Sequence, residues 1–138
     1  MKLPVTVIGG YLGAGKTTLV NHLLRHNDGL RLAVLVNEFG ALPIDADLIE
    51  AQKDGLISIS GGCVCCAFGS DLIGALEDIN AMVPRPDHVL IEASGVALPA
   101  SIAQTVGMIA GLRADAVLVL ADVEQIRANA AHKYLSDT

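Results

Sequence analysis

The sequence predicts a doubly wound α/β domain: a mostly parallel sheet with helices on both faces. Three observations point there. Short apolar runs alternate with segments of helical period, the pattern of βαβ units with right-handed crossovers. The chain is 52% hydrophobic but only 3% aromatic, so its core is built from Val, Ile, Leu and Ala, the usual filling of a sheet buried on both sides. At 138 residues it is one domain long, a size that buries about two-thirds of its unfolded surface.

The first unit organises the rest. Leu3 to Ile8 reads as a buried strand, Gly9 to Gly15 as a glycine-rich turn, and Lys16 to about His26 as a helix with Leu19, Leu23 and Leu24 toward the sheet. Within it, Gly10-Tyr-Leu-Gly13-Ala14-Gly15-Lys16-Thr17 satisfies G-x-x-x-x-G-K-S/T, a P-loop, in the strand-turn-helix order that the motif requires. The fold class is therefore that of a P-loop NTPase. Glycines let successive N–H groups turn inward to phosphate oxygens, and the helix N-terminus adds partial positive charge. Lys16 is expected on the β/γ-phosphates, Thr17 on Mg²⁺ and Thr18 on the α-phosphate.

Strand two, Leu32 to Val36, ends at Asn37-Glu38. Ala41 to Asp54 has a mixed pattern, read as a mobile loop entering a short helix, and it carries Asp45 and Asp47. Strand three, Leu56 to Ile59, runs into Gly61-Gly62-Cys63-Val64-Cys65-Cys66. A helix follows from about Ser70 to Met82, with Leu72, Ile73, Leu76 and Ile79 at helical spacing, closed by Pro84 and Pro86. Strand four, His88 to Ile91, ends at Glu92-Ala93-Ser94-Gly95. A helix begins near Pro99, strand five spans Ala116 to Ala121, and helix-like sequence resumes at Glu124. Ligands of such sheets bind beyond the carboxyl ends of the strands. If strands one to four are parallel, the P-loop, Asn37-Glu38, the cysteines and Glu92 to Gly95 all face one crevice.

Glu92 follows its strand as a Walker-B acid does, to hold Mg²⁺ through water or to orient an attacking water, with Gly95 offering an N–H to the γ-phosphate. A helix-capping carboxylate is the simpler alternative. Cys63, Cys65 and Cys66 are the only three cysteines, too few and too close for a disulfide framework. They read as a soft-metal site, with Cys63 and Cys65 facing one way and Cys66 joining by a backbone turn; Zn²⁺ or Co²⁺ would want a fourth ligand, such as Glu38, a water or a partner's group. A redox dithiol and inert packing residues are the competing readings. His22, His26, His88 and His132 are assigned no metal. Arg25, Arg31, Arg85 and Arg113 fall away from the phosphate edge and only Arg127 approaches it, so slow intrinsic turnover is expected unless a partner supplies an arginine.

The net charge of −6 and the lack of a basic run argue against a nucleic-acid partner. The apolar run 3–15 ends in a phosphate loop, not a cleavage site. The uncharged stretch 93–112 is broken by Ser, Gly, Pro, Gln and Thr, so no membrane association is expected and the cytoplasm is the default compartment.

Taken in order, GGYLGAGKTT, NEFG followed by Ile44-Asp45, GGCVCC and IEASG resemble the CobW-type metallochaperone GTPases. The resemblance implies that Lys16 and Thr17 bind GTP and Mg²⁺, that Glu92 is the Walker-B acid, and that Cys63, Cys65 and Cys66, with Glu38, bind Zn²⁺ or Co²⁺. It implies nucleotide-gated delivery of metal to a client metalloenzyme or metal-insertion complex; a nucleotide- or metal-dependent dimer is a separate expectation. The family's guanine-selecting N-K-x-D motif and C-terminal domain do not occur in residues 1–138, which are expected to be an incomplete GTPase domain. A P-loop kinase, and a metal-sequestering or redox thiol module with a vestigial nucleotide site, are the alternatives.

Overall fold

The computed structural model describes residues 1–10, 15–37, 44–93 and 99–121. Seven strands form one sheet: β1 (Leu3–Gly10), β2 (Leu32–Val36), β3 (Ile49–Lys53), β4 (Leu56–Ile59), β5 (Cys63–Ala67), β6 (His88–Glu92) and β7 (Leu112–Leu120), in the order β3-β4-β5-β2-β6-β1-β7. From β5 to β7 every neighbouring pair is parallel, while β3-β4 and β4-β5 are antiparallel. Three helices, α1 (Lys16–Arg25), α2 (Leu72–Asn80) and α3 (Pro99–Gly107), cover the two faces.

Alternation along the parallel strands creates two cores. Ile8, Val34, Val36 and Leu90 point to one face, where Val20 and Leu24 of α1 meet them together with Cys63 and Cys65. Val5, Val7, Ala33, Leu35, Val89 and Ile91 point to the other, against Leu76 and Ile79 of α2 and Val106 of α3. On α1, Leu19 and Leu23 pack only at the margin, and Val20 takes the central place expected of them. On α2, Ile73 faces solvent, and the Asp71 carboxylate caps the helix by accepting from the Gly74 N–H at 2.9 Å.

Three elements differ from the sequence expectation. The short helix expected after Ile44 is a single 3₁₀ turn, Ala46–Leu48, and it leads into a strand, β3, that was not expected. Asp54 and Gly55, at φ 53° and 78°, then make a tight hairpin turn into β4. The strand read as third, Leu56–Ile59, is an antiparallel outer strand and does not carry the crevice. The cysteine segment is itself the strand that pairs parallel with β2. Finally, β7 starts at Leu112, four residues before the expected Ala116, because it pairs with β1 from Leu3 onward, with a register shift between Val5 and Thr6. The helix expected from Glu124 lies outside the described residues. No described helix is long and apolar enough to cross a membrane.

Candidate functional site

The parallel strands bring their carboxyl ends to one rim. There β1 closes at Gly10, where φ is +136° and an added Cβ would stand 2.5 Å from the Leu120 carbonyl oxygen, so only glycine fits beside β7. The chain enters α1 through Gly15, at φ 98°, which offers no side-chain cap, and the helix's first turn contains no acidic residue. Its opening N–H groups thus have no anion supplied by their own turn, which suits them to a phosphate.

Lys16 opens α1 yet is only 7% exposed. Its Nζ donates to the Ala93 carbonyl at 2.9 Å, spanning from α1 to the end of β6. A buried ammonium with one neutral acceptor has donors to spare for an anionic ligand. Thr17 and Thr18 are exposed on a cleft of about 310 Å³ that they share with Asn21, His22, Arg25 and Asp45. Glu92, one residue before the lysine's acceptor, is half-buried; burial raises its pKa and the nearby Lys16 charge opposes that rise. The Thr17 hydroxyl and Glu92 carboxylate are oxygen donors of the kind Mg²⁺ takes. Glu38, Gly13, Ala14 and Gly95, assigned roles from sequence, lie outside the described residues, as do Arg127 and His132.

The structure distributes the three cysteines. Val36 pairs with both Ala67 and Glu92, so the end of β5 stands level with Glu92, two strand spacings or about 10 Å away. Cys65 and Cys66 therefore lie just inside the same rim as the P-loop. Cys63 does not: it opens β5 at the far end, where its Sγ accepts from the Leu32 N–H at 3.3 Å and lies 3.7 Å from the Leu30 carbonyl oxygen. The turn expected at Cys66 is also absent. Because β5 is hydrogen-bonded on both sides, Cys65 faces the α1 core and Cys66 the α2 core. Among the described residues no three His, Cys, Asp or Glu side chains converge as a metal site.

Electrostatics mark Cys65 in particular. Burial, then the neighbouring Cys66 and Glu92, push its thiol from an ordinary 9.0 up to about 12. Burial and Asp78 raise Cys66 as well. Glu92 thus feels the Lys16 charge on one side and raises a cysteine of β5 on the other.

Arg31, Arg85 and Arg113 lie at the amino-end rim expected of them, whereas Arg25 lines the cleft with Thr17 and Thr18. Arg85 binds the Met1 and Gly111 carbonyls at the amino-end rim. Arg25, at the end of α1, clasps Asp45 and Asp47 at 2.9 and 2.8 Å. Sequence reasoning missed that clasp because Arg25 and the aspartates sit about twenty positions apart with a connection of unknown course between them.

A parallel sheet, a first strand leading through the G-x-x-x-x-G-K-T sequence and the lysine-bearing helix α1 together define a nucleotide-binding domain of the P-loop class. Residues 4–137 match the family described as CobW/HypB/UreG, nucleotide-binding domain, and the chain belongs to that family. It is 42% identical over 104 residues to the zinc chaperone CobW of a Sinorhizobium species, covering 71% of this chain and 29% of that protein. It is 37% identical over 122 residues to the zinc-regulated GTPase metalloprotein activator 1 of Schizosaccharomyces pombe, covering 84% of this chain and 30% of that protein. The chain spans about a third of the length of the curated relatives it matches. The fold also superposes on the Zn(II)-bound YjiA GTPase from Escherichia coli with a TM-score of 0.73 and 28% identity, over 99% of this chain and 45% of that one. A triple mutant of that GTPase, with one glutamate and two cysteines replaced by alanine, is likewise Zn(II)-bound and superposes with a TM-score of 0.77 at 28% identity, over 99% of this chain and 45% of the mutant.

Proposed function

We propose that this domain binds and slowly hydrolyses GTP and uses the nucleotide to control a Zn²⁺ cargo destined for a client metalloenzyme or metal-insertion complex. The observation that carries the proposal is the buried Lys16, whose ammonium is held at Ala93 beside Glu92, on the rim that also holds the end of β5. In the nucleotide-free arrangement the lysine stabilises the end of β6. An incoming triphosphate competes for the same ammonium, so nucleotide and the Glu92-Ala93 backbone exchange one donor. Thr17 and Glu92 hold Mg²⁺, Thr18 meets the α-phosphate, and Gly10, Gly13, Ala14, Gly15 and Gly95 supply backbone to the phosphates.

Cys65 and Cys66 are the proposed cargo ligands, with Cys63 and Glu38 completing the set; Co²⁺ takes the same donors. As they stand in β5 the thiols are protonated and divided between two faces, so loading requires the end of β5 to leave the sheet and two thiols to ionise. Glu92, which raises the Cys65 thiol while it is charged, ties that event to the nucleotide site. This is differential stabilisation of two arrangements, the physical content of a nucleotide switch. Reduced thiols of this kind suit the cytoplasm, and a nucleotide- or metal-dependent dimer is the assembly proposed. Arg31, Arg85 and Arg113 sit at the opposite rim and Arg25 is clasped by Asp45 and Asp47, which supports a turnover below about 1 s⁻¹ without a partner.

Paired binding measurements on Cys65→Ser and Cys66→Ser test the reading. Metal binding at the thiols, read by thiolate-to-metal absorption with Co²⁺ as the probe, is lost while the affinity for a fluorescent GTP analogue with Mg²⁺ stays within a few-fold. Collapse of nucleotide binding in both variants would make the cysteines structural and overturn the cargo assignment.

A further inference from the structure

We infer that His22 and His26 form a second, solvent-facing transition-metal site, a two-imidazole chelate at the carboxyl end of α1. The two residues are four positions apart, so their side chains project from the same face of the helix. Both are exposed, and their rings already stack with centroids 4.4 Å apart and planes tilted by 31°.

The tautomer follows from the geometry. His26 Nδ1 lies 3.0 Å from the His22 carbonyl oxygen, and a carbonyl can only accept, so Nδ1 carries the proton. In the neutral ring the lone pair then belongs to Nε2, directed away from the backbone. An imidazole N–H anchored on a carbonyl, with the opposite nitrogen presented outward, is the arrangement seen in metal-ligating histidines.

The surroundings favour a dication. Arg25, between the two histidines, is bound to Asp45 and Asp47, leaving one positive against two negative charges. His26 is the C-cap of α1, where the helix dipole is negative. His22 lines the same cleft as Thr17 and Thr18. With two protein ligands and water completing the shell, such a site exchanges its ion quickly. It suits first capture of Zn²⁺, Ni²⁺ or Cu²⁺, metals that accept imidazole, more than retention. This inference does not depend on the cysteines or on the proposed GTPase.

Residue-resolved ¹⁵N NMR of the histidine rings during a Zn²⁺ titration at pH 7.5 tests it on the unmodified chain. The Nε2 signals of His22 and His26 should move together along one saturating curve, while His88 stays unmoved. His26→Ala should then weaken the His22 response by about 10²-fold, the loss expected when a two-point attachment becomes a single one. A response at only one of the two rings, or a His22 affinity that stays within about threefold in His26→Ala, overturns the chelate.

Discussion

Alkylating the chain with iodoacetamide at pH 8, without metal or nucleotide, probes the state of Cys65 directly. Burial, Cys66 and Glu92 together raise this thiol from 9.0 to about 12. At pH 8 an ordinary thiol is roughly one-tenth ionised and a thiol at about 12 roughly 10⁻⁴, and the thiolate is the reacting species, so labelling slows by about 10³-fold relative to the urea-unfolded chain. Tandem mass spectrometry of the peptide containing Cys65 and Cys66 resolves which sulfur carries the label. The same shift has a stability consequence of definite sign. The folded state prefers the neutral thiol, so its contribution is fully present below about pH 9 and is lost as pH rises toward 12, by at most about 4 kcal/mol. Labelling of Cys65 within about tenfold of the unfolded rate would refute both the burial and the requirement that β5 open before metal is bound.

Three other outcomes follow from the geometry. Lys16→Ala keeps the fold by circular dichroism but weakens binding of GTP with Mg²⁺ by about 10–10²-fold in fluorescence titration, the worth of one charge-assisted contact. Gly10→Ala, placed at φ +136° against the Leu120 carbonyl, lowers unfolding free energy by about 2 kcal/mol or more in urea titration; a neutral result would remove the close approach of β1 and β7. Burial depresses the pKa of His88, whose Nε2 lies 2.7 Å from the Thr6 hydroxyl. A depressed folded value means its stability contribution is present above the ordinary 6.5 and is lost as pH falls below it, so His88→Gln flattens the fall in thermal midpoint between pH 7 and pH 5.

Much of the architecture could be read from periodicity, because β1, α1, β2, α2 and β6 are local patterns bounded by strong signals. Leu32 to Val36 was exact, and the P-loop fixed the strand-turn-helix order around Lys16. What escaped was non-local or disguised. Ile49-Glu-Ala-Gln-Lys53 is an exposed edge strand without alternation, and only the Asp54-Gly55 pair betrayed its hairpin. Cys63-Val64-Cys65-Cys66 drew attention as chemistry, although Cys and Val are equally suited to a buried strand, which is where they sit. The convergence on one rim therefore extends to Cys65 and Cys66 but excludes Cys63.

The central claim, that nucleotide at Lys16 and cargo at β5 act on one another, is tested most directly by titrating Zn²⁺ into the chain with and without saturating GTP and Mg²⁺, followed by the reverse titration at fixed Zn²⁺. The account predicts a change in Zn²⁺ affinity of about fivefold or more, matched by an equal factor in nucleotide affinity. Identical Zn²⁺ affinities in both states, with Lys16 and Cys65 intact, would contradict it.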